Sequence, residues 1–259
     1  MSMPALTAQR TNHTLSRTVL IMVLIGLVLA HAPIWLFIFV GLAYATIMVA
    51  MSFRIGSQFF HPTVCRLPAQ PNNKTVALTF DDGPHPIFTP RILDVLKAHE
   101  CHATFFCTGK AAAAHPQLVQ RIIDEGHGIG IHSFSHHLNT LIPFAPIAQN
   151  DYENARCALE SITGQTVSLF RPPWGVIHPW TSKVIDQLNL TVVGWSLRTF
   201  DFVKGRDAIV KKLQRAQPGD IVLLHDTKLA TLQALEQWLP HAQEQSLELV
   251  KLNQAMLHE

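Results

Sequence analysis

The sequence predicts an α/β protein: a distorted, incomplete (β/α) barrel preceded by a membrane-inserted N-terminal segment. Three observations predict it. From Lys74 onward, short β-branched apolar runs alternate with amphipathic helical stretches, the pattern of a parallel sheet clothed by helices. The polar residues able to carry chemistry fall just after different predicted strands, the end at which β/α barrels assemble their sites. Before Lys74, the stretch from Thr18 to Met51 contains no Asp, Glu, Lys or Arg and is almost continuously apolar. About 185 residues remain for the barrel, against ~250 for eight full repeats, so imperfect closure is expected.

One straight helix over the apolar stretch would run ~50 Å, against a hydrocarbon core of ~30 Å. His31-Ala32-Pro33 lies near its middle, where proline breaks the helical ladder. Two membrane helices, about Thr18–Ala30 and Ile34–Met51, are therefore preferred, paired as a hairpin. The first is short for a full span, and one kinked or re-entrant segment is the alternative. No small-residue cleavage site precedes a polar start, which argues against a cleaved signal peptide. Arg10 and Arg17 precede the stretch and Arg54, Arg66 and Lys74 follow it, while the turn at His31 is uncharged. For a hairpin, the positive-inside tendency places both ends in the cytoplasm; a single span would put the barrel across the membrane from the N-terminus. The chain divides into a tail (1–17), a membrane segment (18–53), a linker (54–73) and the barrel domain (74–259).

The expected strands are Val76–Phe80, Ala103–Cys107, Gly128–Ile131, Ser168–Phe170, Thr191–Ser196, Asp220–Leu224 and Glu248–Lys251. Helices are expected over Thr89–His99, His115–Glu125, Gln149–Thr163, Pro179–Gln187, Asp207–Ala216 and Thr231–Gln243. Thr89-Pro90 reads as an N-cap followed by a first-turn proline, and Ile92, Leu93, Val95 and Leu96 supply the apolar face behind it. Gln217-Pro218-Gly219-Asp220 is a turn that launches the strand at Ile221.

Composition excludes some partners. With 20 basic and 18 acidic residues the formal net charge is +2, and no basic cluster interrupts the soluble part, so nucleic acid is not an expected partner. The four cysteines lack the paired close spacing of a structural zinc site and read as reduced thiols. Most of the fifteen histidines are surface or packing residues.

Thr79-Phe80-Asp81-Asp82-Gly83-Pro84 places two adjacent carboxylates beyond the first strand, and His132-Ser133-Phe134-Ser135-His136 follows the third. One aspartate and two histidines are the protein ligands of an open hydrolytic metal site, leaving a spare carboxylate as base for an activated water. Each element has a bland reading alone. Asp-Gly-Pro favours a turn, paired histidines arise by chance in a histidine-rich chain, and His137 competes as a ligand. Arg171-Pro172-Pro173-Trp174-Gly175 reads as a rigid loop and Leu223-Leu224-His225-Asp226 as a buried strand end. Their joint occurrence, with Asp201 between the last two, is what argues for a site.

In this ordered set the chain resembles the polysaccharide deacetylases of the NodB homology family, carbohydrate esterase family 4, over about Lys74 to Lys251 and across all five family motifs. The resemblance implies the family's distorted (β/α) barrel. It also implies Asp81 as catalytic base, with Asp82, His132 and His136 binding a divalent metal, usually zinc. Arg171 matches the arginine that orients the base, and Trp174 the aromatic position whose backbone N–H helps hold the oxyanion. Leu223 and His225 match the last motif, with His225 as general acid and Asp201 orienting it. Trp174, Leu223 and Phe202 are the implied substrate contacts. The fourth motif departs from the pattern: Phe202 replaces a tryptophan, and Arg198 occupies a position that is often acidic. Arg198 either lowers the proton affinity of His225 or meets an anionic group on the substrate. The implied activity is metal-dependent removal of N-acetyl groups from amino sugars of a polysaccharide, oligosaccharide or lipid-linked sugar, at a cell membrane. The alternatives are an O-acetyl esterase or other amidase, and a sugar-binding module that has lost turnover.

Overall fold

The computed structural model describes residues 11–68, 74–138 and 145–252; Arg10, the end of the expected linker and the last seven residues lie outside them. Two helices, α1 (Thr11–Leu29) and α2 (Ile34–Ser52), are joined by a turn at His31–Pro33. Both are long and apolar enough to cross a membrane, and neither is buried by the rest of the protein. The first begins at Thr11 rather than Thr18. Polar Thr11–Arg17 continue the helical ladder before the apolar run begins, giving 19 residues, or ~28 Å, where the apolar run alone suggested too short a span.

The barrel domain alternates strand and helix as expected: β1 (Thr75–Asp81), α3 (Phe88–Ala98), β2 (Thr104–Cys107), α4 (Gly109–Ala114), α5 (Pro116–Asp124), β3 (Gly128–Ile131), α6 (Ala145–Thr163), β4 (Leu169–Phe170), α7 (Pro179–Gln187), β5 (Thr191–Val192), β6 (Leu197–Arg198), α8 (Arg206–Leu213), β7 (Ile221–His225), α9 (Leu229–Glu244) and β8 (Glu248–Val250). The strands run parallel in the order β5-β4-β3-β2-β1-β7-β6, with β8 pairing beside the start of β1. Every residue of β1 is buried, which is why it reads as a nearly continuous apolar run. Its register sets Asp81 opposite both Phe106 of β2 and His225 of β7.

Three differences from the sequence reading have local causes. The run Thr191–Ser196, expected as one strand, ends at Val192. Val193 then bridges to Val64, and β6 forms only beyond Ser196. Thr89 does not cap α3 through its side chain. It lies inside the helix, buried, where its hydroxyl accepts from the His85 N–H at 2.7 Å and donates to Asp226. The short helix α4 was missed; its N-cap is Thr108, whose hydroxyl accepts from Ala111 N–H.

The segment after α2, expected to be a linker, is packed against the domain through residue 68. Ile55 is buried, the Ile177 N–H donates to the Ser52 carbonyl at 3.0 Å, and Ser182 donates to the Phe60 carbonyl. Val64 exchanges backbone hydrogen bonds with Val192 and Gly194. Arg66 then pairs antiparallel with Asp220 and forms a 2.9 Å ion pair with it. This segment crosses from the β5 side to the β7 side, where the sheet itself does not close.

Gly130 in β3 leaves room for the Phe106 ring: a Cβ there would stand 2.6 Å from it. Gly130→Ala is expected to lower unfolding stability by about 1–3 kcal/mol, measured by denaturant unfolding of the detergent-solubilised chain.

Candidate active site

The C-terminal ends of the parallel strands converge on one cleft, lined by Asp81, Asp82, His132, His136, Trp174, Trp195, Arg198, Phe202, Leu223 and His225. Arg171 and Asp201 lie buried behind it. The structure therefore gathers the predicted site residues at one end of the sheet, from β1, β3, β4, β6 and β7 and the loops just after them, with His136 rather than His137 beside His132.

Asp81 is buried at the end of β1. Its Oδ1 accepts from Arg171 Nη1 at 2.7 Å, and its Oδ2 lies 3.9 Å from His132 Nε2. Arg171 is fully buried yet satisfied: it also donates to the Thr79 hydroxyl and to the Val193 and Gly194 carbonyls, and its guanidinium lies over the Phe106 ring at 4.2 Å. Four hydrogen bonds hold the cation rigidly, so the face of Asp81 that it leaves free is fixed too.

Asp82, His132 and His136 bring one donor atom each to within 4.8 Å of one another. Asp82 Oδ1 is 3.4 Å from Nε2 of both histidines and, although buried, accepts no hydrogen bond. Metal bonds of 2.0–2.1 Å in a tetrahedral site set ligands ~3.3 Å apart, so an orphaned carboxylate oxygen at this spacing fits a divalent ion. His132 Nδ1 lies 2.8 Å from the Arg171 carbonyl, which can only accept; that places the proton on Nδ1 and leaves the Nε2 lone pair for the site. Burial works against the charge on Asp82, but His132, with His136 and His225, holds its carboxyl well below the usual range.

His225 faces this cluster, with Nε2 3.9 Å from Asp82 Oδ2 and Nδ1 2.8 Å from Asp201 Oδ1. Asp201 is itself pinned: its Oδ2 accepts from the His225 N–H and the Thr231 hydroxyl, and its Oδ1 from Thr199. Burial disfavours a charged His225 ring; the Asp201 hydrogen bond and charge, then Asp81 and Asp82, outweigh this and raise it to about 9. Phe202 stands edge-on to the His225 ring at 5.8 Å, and Trp174 packs on His136 at 4.4 Å.

Two supporting residues escaped sequence reasoning. Asp151, on α6, accepts from the Phe134 and Ser135 N–H groups and the Ser135 hydroxyl, fixing the loop that carries both histidines. Asp226 is fully buried behind Gly83, where any Cβ would stand 2.1 Å from its Oδ2. Burial pushes its carboxyl up to about 7. Asp226 adjoins a motif residue, but nothing in the local sequence distinguishes Asp151.

Comparison with known proteins gives this arrangement a family. A polysaccharide deacetylase profile matches residues 69–193. The peptidoglycan-N-acetylglucosamine deacetylase of Bacillus cereus is 38% identical over 192 residues, spanning 70% of this chain and 68% of its own. The chain belongs to the polysaccharide deacetylase family. The peptidoglycan-N-acetylglucosamine deacetylase PgdA of Listeria monocytogenes is 34% identical over 74% of this chain, and this chain spans only 41% of that longer protein. The solved structure of peptidoglycan deacetylase PdaC from Bacillus subtilis superposes with a TM-score of 0.66 at 32% identity, covering 71% of this chain and 90% of that one. The family's distorted barrel is thus the fold of this polysaccharide deacetylase domain.

The His225–Asp201 pair has a defined titration signature. In metal-free protein, the stabilisation from charged His225 is present in full below its ordinary value of ~6.5 and is lost as pH rises through about 9. Asp201→Asn is expected to move the His225 ring titration down toward ~6.5, read by NMR of labelled histidine. An unmoved titration would remove Asp201 as the cause.

Proposed function

We propose that this chain is a membrane-anchored, metal-dependent deacetylase that hydrolyses N-acetyl groups of amino sugars in a glycan or its lipid-linked form. One observation carries the reading. A three-donor metal set stands between an arginine-paired carboxylate and a histidine–aspartate pair, all facing one cleft. The names of the relatives, which specify deacetylation of peptidoglycan amino sugars, support the same chemistry.

Asp82, His132 and His136 would hold the ion, which when bound supplies an electrophile for the acyl oxygen and acidifies water. Asp81 accepts the proton of the attacking water through the oxygen that Arg171 does not occupy. The Trp174 N–H, presented on a left-handed turn (φ 57°) at the cleft, helps hold the oxyanion. His225, kept protonated by Asp201, delivers its proton to the departing amine, so that acetate and a free amino sugar leave. Phe202, Trp174 and Leu223 give the sugar apolar walls. An esterase would have little need of His225 as a strong proton donor, because an alkoxide leaves more readily than an amide nitrogen.

The anchor is a hairpin. The start of α1 returns to the domain, where the His13 ring lies 5.2 Å from that of Phe60, and the end of α2 enters it directly at Ser52. Both helix ends therefore face the domain, and the flanking arginines favour the cytoplasmic side, within reach of lipid-linked sugars.

Acetate release from chitin oligosaccharides is expected to require a divalent metal and to stop with chelator. Asp81→Asn is expected to keep the metal and lose ~10²–10⁴-fold in turnover. Asp82→Asn and His132→Ala are expected to lose the metal, read by elemental analysis; full occupancy in both would refute the ligand set. Alkaline phosphatase fused after Arg54 and after Glu259 is expected to be inactive at both sites. Activity at both would place the domain outside and make a wall polymer the substrate.

A further inference from the structure

Among the described residues, Arg198 is the one charged group lining the cleft that neither the metal set nor the proton-transfer pairs employ. It ends β6, in register with Leu223 of β7, two residues before His225. Its guanidinium sits among three aromatic rings, 4.9 Å from the centroid of Phe200, 5.4 Å from Phe202 and 5.5 Å from Trp195. Its Nε is buried without a hydrogen bond, and among the described residues no carboxylate forms an ion pair with it.

Cation–π contacts offset part of the cost of desolvating such a group, but they do not satisfy its N–H donors. The rings hold the fork in place, so its ordering cost is met before any ligand arrives. A fixed guanidinium with unused donors is a bidentate receptor for a planar oxyanion. Two other cations approach these rings, Lys212 over Phe200 and Arg171 5.8 Å from Trp195, but Arg171 is already paired with Asp81 and neither lines the cleft, so a single unpaired positive charge is offered there. That matches a monoanionic carboxylate better than a phosphate dianion.

We infer that Arg198 is a specificity-determining residue that binds a carboxylate carried by the glycan beside the N-acetyl group undergoing hydrolysis. Phe202 touches both the guanidinium and the His225 ring, so the carboxylate sits on the side of the cleft from which the amine departs. The inference rests on the deacetylase reading for the position of the scissile group.

The test compares kcat/KM of the full-length, zinc-loaded chain in detergent on three probes: neutral chitotetraose, a tetrasaccharide of alternating N-acetylglucosamine and N-acetylmuramic acid with free lactyl carboxylates, and N-acetylglucosamine 1-phosphate. The wild type is expected to prefer the carboxylated glycan. Arg198→Gln should lower the carboxylated-to-neutral ratio at least tenfold, mainly through KM, and Arg198→Lys should restore part of it. A purely structural arginine would lower both activities together and leave the ratio unmoved, which overturns the inference, as would a preference for the phosphorylated sugar. Binding of the same probes to the Asp81→Asn chain by calorimetry gives the ratio without turnover. If the wild type deacetylates none of the probes, the functional reading fails, while the binding ratio still judges Arg198.

Discussion

Two adjacent carboxylates at the inner end of a fully buried strand are the constraint around which this domain is organised. A carboxylate removed from water must be matched by positive charge or hydrogen-bond donors. Asp81 and Asp82 meet that demand in different ways. Asp81 is matched by Arg171, which reaches it from the end of β4, three strands away, while its other hydrogen bonds go to Thr79, Val193 and Gly194. Asp82 turns instead toward His132 and His136 with an oxygen that no N–H or O–H satisfies. One carboxylate is closed off on one oxygen, the other left open for an ion; identical side chains are separated by environment alone.

The backbone bends to allow this. Asp82, Ser133, His136 and Trp174 all have positive φ, between 48° and 74°, without being glycine. Such conformations cost on the order of 1 kcal/mol or more each and persist only where the surroundings over-determine them. Asp151 supplies that for the histidine loop, through three hydrogen bonds from Phe134 and Ser135. Around Asp82, the absence of a Cβ at Gly83 lets Asp226 close against the turn. These supports come from α6 and from the residue after β7, far away in sequence. The site's precision thus depends on two carboxylates, Asp151 and Asp226, that take no part in the proposed chemistry.

The N-terminal pair of apolar helices is joined to the barrel by more than a tether. Residues 55–67 bury Ile55 and Leu67, and join Val193 and Asp220 across the unclosed part of the sheet. Cys65 packs where Gly194 has no side chain, next to the carbonyl that accepts from Arg171. The chain leaving α2 is therefore in contact with the layer that supports the active-site arginine.

Periodicity and strand-end chemistry made the barrel, the helical hairpin and the gathered site residues legible from the sequence, because burial on both faces of a parallel strand imposes an apolar run and the site lies where each run stops. Asp81, Asp82, His132, His136, Arg171, Asp201 and His225 all announced themselves in that way. Other features depended on contacts between segments remote in the chain. The polar turns that start α1 carry no apolar signal, the division of Thr191–Ser196 was set by pairing with Val64, and Thr89 looked like a cap because its partner Asp226 lies 137 residues away. Arg198 shows the limit most clearly: the sequence reveals an unexpected cation, but only the packing of Trp195, Phe200 and Phe202 around it shows a guanidinium at the cleft with no carboxylate partner among the described residues. Local pattern records what each segment buries, whereas tertiary structure alone determines which groups are left without a partner.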